Sequence, residues 1–205
     1  MLIQTILADL RATTDERRRR ESAAREWARV IGKAFLSPSS HCAVLFRISS
    51  ALYQYRLLRP LAFAVRTMSV VWGGTEIHPA AQIGPGLCLV HSQKILIGEG
   101  VVIGAHARIC HGVSIGGDLG RGMEGKQSDW PRFGDNVTIG MDAIIMGPVT
   151  VGDGAVIGAQ ALVIKDVPPH AIVSGSPATI RRYTDAAERG IDVAGVSAES
   201  DGAVG

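Results

Sequence analysis

"DAIIMGPVTVGDGAVIGAQALVIKDVPP", Asp142 to Pro169, sets an apolar residue at every sixth position: Ile145, Val151, Ile157 and Val163. Counting backwards, the same beat passes through Ile139 and Phe133. Beyond a gap it resumes at Ile115, Ile109, Ile103 and Ile97, and earlier still at Leu89, Ile83 and Ile77. Each step within a run is six residues except Leu89 to Ile97, which takes eight. The fifth position of each unit is small or branched, as in Ala81, Val101, Ala107, Val113, Val137, Ala143, Ala155 and Ala161.

A fixed short period predicts a solenoid. Six residues make one short strand and a turn, and three such units make a triangular coil of about 18 residues, the hexapeptide β-helix. The opening residue of each unit is expected to point inward and stack on its equivalents. The following residue is often Gly (Gly84, Gly104, Gly140, Gly158), which we read as a corner needing backbone angles that a side chain resists.

Two features interrupt the beat. One is the eight-residue unit, which carries His91. The other is "GGDLGRGMEGKQSDWPR", residues 116–132, a Gly-rich polar loop of a length usually tied to function. Before Ile77 the pattern is helical. Thr14 or Asp15 fits an N-cap, Val44, Leu45, Ile48, Leu52 and Tyr55 fall on one helical face, and Pro60 fits a helix start. The run Arg17–Arg20 reads as a solvated helix face. The chain divides into a helical part, 1–72, a β-helix, 73–182, and a small, polar tail, 183–205, expected to be disordered.

Lys plus Arg number 21 against 19 Asp plus Glu, a balance that gives no support to nucleic-acid binding. The charges of the N-terminus follow its apolar run, the reverse of a secretory signal, and the apolar stretch 57–72 is broken by Arg59, Pro60 and Arg66, so no membrane span is expected. Three cysteines, Cys42, Cys88 and Cys110, in no paired spacing suit a reducing cytoplasm.

"GTEIHPAAQIG", "LVHSQ", "VSIGG", the stretch quoted first and "SGSPATIRR" together resemble the bacterial and plant serine acetyltransferases, of the hexapeptide acyltransferase superfamily, over about residues 73–182. The resemblance implies left-handed β-helices in a homotrimer or a dimer of trimers, with active sites in the clefts between subunits. It also implies acetyl-CoA as co-substrate along the outside of the coils, no metal, and transfer of acetyl to serine on the way to cysteine. It assigns His91 as general base, suited to removing a hydroxyl proton near neutral pH. Fifteen residues earlier it assigns Glu76, where the family usually has Asp, as the carboxylate that orients the imidazole.

His111 holds the same place in its unit as His91, so the two are expected one strand spacing apart, about 5 Å, with His111 supporting His91 or touching substrate. With Cys110 they lack a fourth ligand, which argues against zinc. His106 reads as surface and His78 as structural. The backbone of Gly116 and Gly117 is the candidate oxyanion site. For CoA the resemblance points to Ala143, Ala161, Lys165, the turn Gly175–Ala178 with Pro177, and Arg181 with Arg182.

The departures fall on the acceptor side. Val90 stands where the family has Asp before its histidine. Asp129 and Trp130 stand where it has an Arg-His pair that helps hold serine, and Trp130 offers a flat surface for a larger acceptor. The final Gly205 gives no support to docking on the cysteine-producing partner enzyme. Three readings follow: acetylation of serine, the same chemistry on another hydroxyl such as a surface-polysaccharide sugar or a specialised metabolite, or a non-catalytic scaffold.

Overall fold

The inward positions of the repeat become the core. In a computed structural model, which describes residues 2–12, 28, 32, 36–117 and 129–184, they form three vertical columns. The first face of the coil consists of β1 (Thr75–Ile77), β4 (Ile95–Ile97), β7 (Ser114–Gly116), β10 (Ile144–Met146) and β13 (Leu162–Val163). The second holds β2 (Gln82–Ile83), β5 (Val102–Ile103), β8 (Arg132–Phe133) and β11 (Thr150–Val151). The third holds β3 (Cys88–Val90), β6 (Arg108–Cys110), β9 (Thr138–Ile139), β12 (Val156–Ile157), β14 (Ala171–Ser174) and the antiparallel β15 (Thr179–Tyr183).

All other pairs are parallel and keep strict register: Ile77 on Ile97 on Ile115 on Ile145 on Val163. On the third face the same holds for Leu89, Ile109, Ile139, Ile157 and Val173. Every one of these residues is buried. The result is a left-handed β-helix of hexapeptide repeats, about four turns long.

The corner glycines have a different cause from the one read in the sequence. Gly84, Gly104, Gly140 and Gly158 do not lie at positive φ. The left-handed residue comes two positions later and is often not glycine: His106, Asn136, Asp142, Gln160. What the glycines supply is space. A Cβ on Gly84 would sit 2.7 Å from the backbone of Gly104 and Ala105, and one on Gly104 would sit 2.6 Å from the backbone of Gly134. Successive coils touch main chain to main chain there.

Among the described residues, α1 (Leu2–Ala12), α2 (Pro38–Tyr53) and α3 (Arg59–Gly73) precede the coil, with a 3-10 turn (Arg56–Leu58) between α2 and α3. Pro60 does open α3, in its first turn. The apolar face expected of α2 is not the one it buries. Cys42, Ala43, Phe46, Arg47 and Ser49 are buried, Ser49 Oγ donating to the Ala62 carbonyl of α3, whereas Ile48 and Tyr55 are exposed. Val44 and Leu45 instead line an apolar groove with Met68, Val71 and Trp72 of α3. The buried stripe escapes a hydrophobicity count because Arg47 lies in its middle. Arg47 is 7% exposed and Asp9 of α1 is 2% exposed. Arg47 Nε donates to Asp9 Oδ2 at 2.7 Å, and its terminal nitrogens donate to the carbonyls of Ile83 and Gly84. Asp9 Oδ1 accepts the N–H groups of Gly86 and Leu87, both at 2.9 Å. One ion pair therefore ties two helices to the first coil. The N-cap expected at Thr14 or Asp15, the run Arg17–Arg20, most of the loop 116–132 and the tail beyond Thr184 lie outside the described residues.

Removing one partner of this pair strands the other charge in a dry site, so Asp9→Ala should lower stability by about 3–5 kcal/mol. The apolar double variant Asp9→Leu/Arg47→Met should be less damaged than Asp9→Ala. Urea unfolding of the three proteins at neutral pH checks this, and equal losses in both would reject the ion pair as the anchor.

Candidate functional site

The eight-residue unit resolves into a regular corner with two residues inserted. At the other corners of this edge the left-handed residue donates its N–H to the coil before: Gly112 to Gln93, Asp142 to His111, Gln160 to Met141. In the enlarged unit that part is played by Lys94, at φ 57°, whose N–H reaches the Gly74 carbonyl at 2.9 Å. The surplus pair is His91–Ser92. Ser92 is drawn inward: it is 3% exposed, its N–H donates to Ser39 Oγ, and its carbonyl accepts the Thr75 hydroxyl. His91 is thrown outward. It is exposed, takes a second left-handed conformation at φ 54°, and its carbonyl accepts the Gln93 N–H at 2.7 Å. Histidine is among the residues that tolerate this region.

His111 lies opposite, because Val90 pairs with Cys110. The two imidazoles meet edge to face, centroids 6.2 Å apart and planes at 71°. His111 Nδ1 is buried and has no hydrogen-bond partner among the described residues. Next to it, burial pushes the Cys110 thiol above its usual range, against a smaller opposite pull from Arg108. A protonated thiol is a poor nucleophile, so this corner offers imidazole chemistry and not thiolate chemistry.

Glu76 points elsewhere. Its Oε1 accepts a hydrogen bond from Arg66 Nη1 of α3 at 3.1 Å, and no hydrogen bond joins it to His91. His78, two residues on, is structural: its ring meets Tyr53 and Phe63 at centroid distances of 5.8 and 5.6 Å, and its Nδ1 accepts the Ala80 N–H. Burial lowers the His78 pKa from 6.5, and Arg66 adds to this while Glu99 and Glu76 pull the other way. His106 is exposed, with its ring lying over Gly86.

The remaining sequence-derived residues lie at other places on the coil. Gly116 ends β7 and Gly117 follows it at the far end of the first face, where a Cβ on Gly116 would meet open space. Asp129 and Trp130 re-enter at that same edge. The Trp130 ring lies over Gly98 and Gly100, which have no side chain to displace it, so one of its faces is spent on packing within the chain. Ala143 and Ala161 are both fully buried in the interior columns. They correct the expectation of an outward surface for CoA, since the fifth position of each unit points inward, and only their main chain is available outside. Lys165 is exposed. The turn Gly175–Ala178 seats on β13: Leu162 N–H donates to the Gly175 carbonyl and Ala178 N–H to the Leu162 carbonyl. Arg181 donates from Nε to Ser174 Oγ at 2.9 Å. The inserted Ser92 and the corner lysine were not singled out in the sequence; the two extra residues were the available signal.

A left-handed triangular coil with a histidine carried on an enlarged corner defines a hexapeptide-repeat transferase. Residues 131–165 match the family model described as bacterial transferase hexapeptide (six repeats), and residues 94–118 match the hexapeptide repeat of succinyl-transferase. The serine acetyltransferase of Mycobacterium tuberculosis is 36% identical over 179 residues, 87% of this chain and 73% of that protein. The chain belongs to the serine acetyltransferase family. Among solved structures, the Brucella abortus enzyme in complex with coenzyme A aligns with a TM-score of 0.76 at 30% identity, over 89% of this chain and 68% of that one. The Neisseria gonorrhoeae enzyme in complex with serine aligns with a TM-score of 0.74 at 33% identity, over 88% and 69%. Against serine acetyltransferases 4 and 2 of Arabidopsis thaliana the chain spans only 38% and 43% of their length. No helix among the described residues is long and apolar enough to cross a membrane.

Because the fold lowers the His78 pKa, chiefly by burial, the unfolded chain binds more protons as pH falls through about 6.5, and stability there falls with pH. The urea midpoint should therefore drop between about pH 7.5 and pH 5.5. The drop should be smaller in His78→Gln, and an unchanged slope in that variant would acquit His78.

Proposed function

We propose that this chain transfers the acetyl group of acetyl-CoA to the hydroxyl of L-serine, with His91 as general base. The observation that carries the reading is the corner itself, which buries Ser92 and leaves the imidazole exposed and braced by His111. In the reaction His91 takes the hydroxyl proton as the serine oxygen attacks the thioester carbonyl. The tetrahedral intermediate then collapses, the C–S bond breaks, and the imidazolium returns the proton to the departing CoA sulfur. The family relatives support acetyl-CoA as donor, and the solved relatives bind coenzyme A and serine. Gly116 and Gly117 are assigned to the oxyanion, and Lys165, Arg181 and the turn Gly175–Pro177 to CoA, with Ala143 and Ala161 contributing main chain.

A homotrimer, alone or paired with a second, is part of this reading. His91 stands at the edge between the third and first faces, and Asp129 and Trp130 at the edge between the first and second. One chain does not unite them, and a neighbouring copy would. Glu76 orients His91 in this reading only after it leaves Arg66, so Glu76→Gln should reduce kcat less than His91→Ala. Cys42, Cys88 and Cys110 form no disulfide with one another, in keeping with a cytoplasmic setting.

The deciding assay is thiol release from acetyl-CoA with and without L-serine. Wild type should release CoA in a serine-dependent manner, and His91→Ala should lose at least about 100-fold in kcat, the lower end of what a positioned base contributes, while still binding CoA. Near-normal turnover by His91→Ala would overturn the general-base assignment. A wild type that binds CoA but ignores serine would favour the second reading, a different hydroxyl acceptor, which the Val90 and Trp130 departures raise.

A further inference from the structure

The corner that carries His91 also carries Lys94. We propose that Lys94 holds the carboxylate of the acceptor, an inference that rests on the serine reading above.

Four observations lead to it. The first is conformational. Lys94 sits at φ 57°, where an L-residue without a short polar side chain is disfavoured and glycine is free. Its neighbours in the same vertical column are both glycine, Gly74 below and Gly112 above, each at positive φ. The other places of this column are Gly74, Gly112, Asp142 and Gln160, so Lys94 is the one cation in it, held in a backbone region that its long side chain disfavours. The second is freedom. Lys94 is exposed and makes no ion pair among the described residues. Glu76, on the first face, is committed to Arg66. Its immediate neighbours in the column, Gly74 and Gly112, carry no side chain, and the Asp142 carboxylate lies over Gly112.

The third is a container. A cleft of about 450 Å³ lies between the end of α3 and the enlarged corner, lined by Pro38, Val70, Trp72, Gly74, Gln93 and Lys94 among others. Lys94 is the only charged residue in its described lining. The C-terminal end of α3 forms the opposite wall and carries the partial negative charge of the helix dipole, which suits an ammonium. A zwitterion placed between them meets complementary charge at both ends. His91 projects from the same bulge, its carbonyl bonded to the Gln93 N–H.

The fourth is a deficit. The family resemblance expects an Arg-His pair beside the acceptor carboxylate, and the matching positions here are Asp129 and Trp130, although Arg121 and Lys126 stand elsewhere in the same loop. A carboxylate taken into a partly dry cleft without a cation is costly. Lys94 supplies that cation from the scaffold.

The test is the acceptor dependence of Lys94→Gly, with Lys94→Arg as the conservative variant. Glycine fits the backbone, so Lys94→Gly should keep or raise Tm. Loss of a charge-assisted contact should raise KM for L-serine about 10- to 100-fold, with kcat little changed. L-serinamide keeps the hydroxyl and ammonium and lacks the carboxylate. Wild type should use it less well than serine, and Lys94→Gly should treat the two nearly alike. Lys94→Arg should recover most of the preference for serine. A KM for serine within twofold of wild type in Lys94→Gly would overturn the assignment. So would equal losses on serine and serinamide, which would show a general effect on the corner. A wild type that binds CoA yet shows no serine-dependent release would overturn the serine reading itself and the Lys94 assignment with it, whereas a serine-active wild type with an indifferent Lys94→Gly would overturn the Lys94 assignment alone.

Discussion

Parallel register between stacked coils is the constraint on which the rest of this molecule depends. Each inward side chain rests on its equivalent in the coil before, on all three faces. A single-residue slip would turn a whole strand inside out, so the register does not absorb insertions. Any extra residue must leave the coil at a corner. The chain does this twice, by two residues at His91–Ser92 and by a long loop between β7 and β8. Both exits are where chemistry is expected, and for one physical reason: only there can a side chain project without disturbing a column.

The same regularity leaves two open ends, each a row of unpaired strand groups. The first coil is closed by helices, and the Asp9–Arg47 pair does the polar part of the work by satisfying the Ile83 and Gly84 carbonyls and the Gly86 and Leu87 N–H groups. At the far end β15 folds back on β14, and the turn Gly175–Ala178 occupies the edge of β13. Gly175 is needed there at φ 102°. This turn thus has a structural duty whatever it contributes to CoA binding, and its sequence signature alone does not separate the two.

The columns built from the opening residue of each unit were legible in the sequence, because a period of six with one inward residue per strand fixes their packing. The helices were not. On α2 an apolar stripe through Val44, Leu45 and Ile48 outscores the stripe it buries, since the buried one is interrupted by an arginine whose charge is answered by a residue on another helix. The corner glycines were legible as glycines, but not their cause: steric contact between coils and backbone conformation leave the same letter. Ala143 and Ala161 illustrate the converse, small residues that suggest room outside and in fact report a lack of room inside. His91 and His111 were placed together correctly because the strand pairing fixes them. Glu76 and His91 were linked by spacing, and the structure gives Glu76 to Arg66, a partner on a helix that the coil's period says nothing about.

Trp130 shows how the altered loop and the altered corner belong to one problem. Its ring fills the notch above Gly98 and Gly100, where any side chain would collide with it. A residue used in this way is held by its own chain and has one face left for a ligand. The loop position that the family resemblance reserves for gripping serine is therefore largely engaged in packing, and the neighbouring Asp129 brings a charge of the wrong sign for a carboxylate. For the small zwitterion proposed as acceptor, a rigid element close to His91 suits recognition. The enlarged corner is such an element: its main chain is bonded to Gly74 and Gly112, its Ser92 is fixed by Ser39 and Thr75, and it carries both an exposed imidazole and an exposed ammonium. Moving acceptor recognition from a long loop to this corner would trade adaptability for a site whose geometry is set by coil stacking.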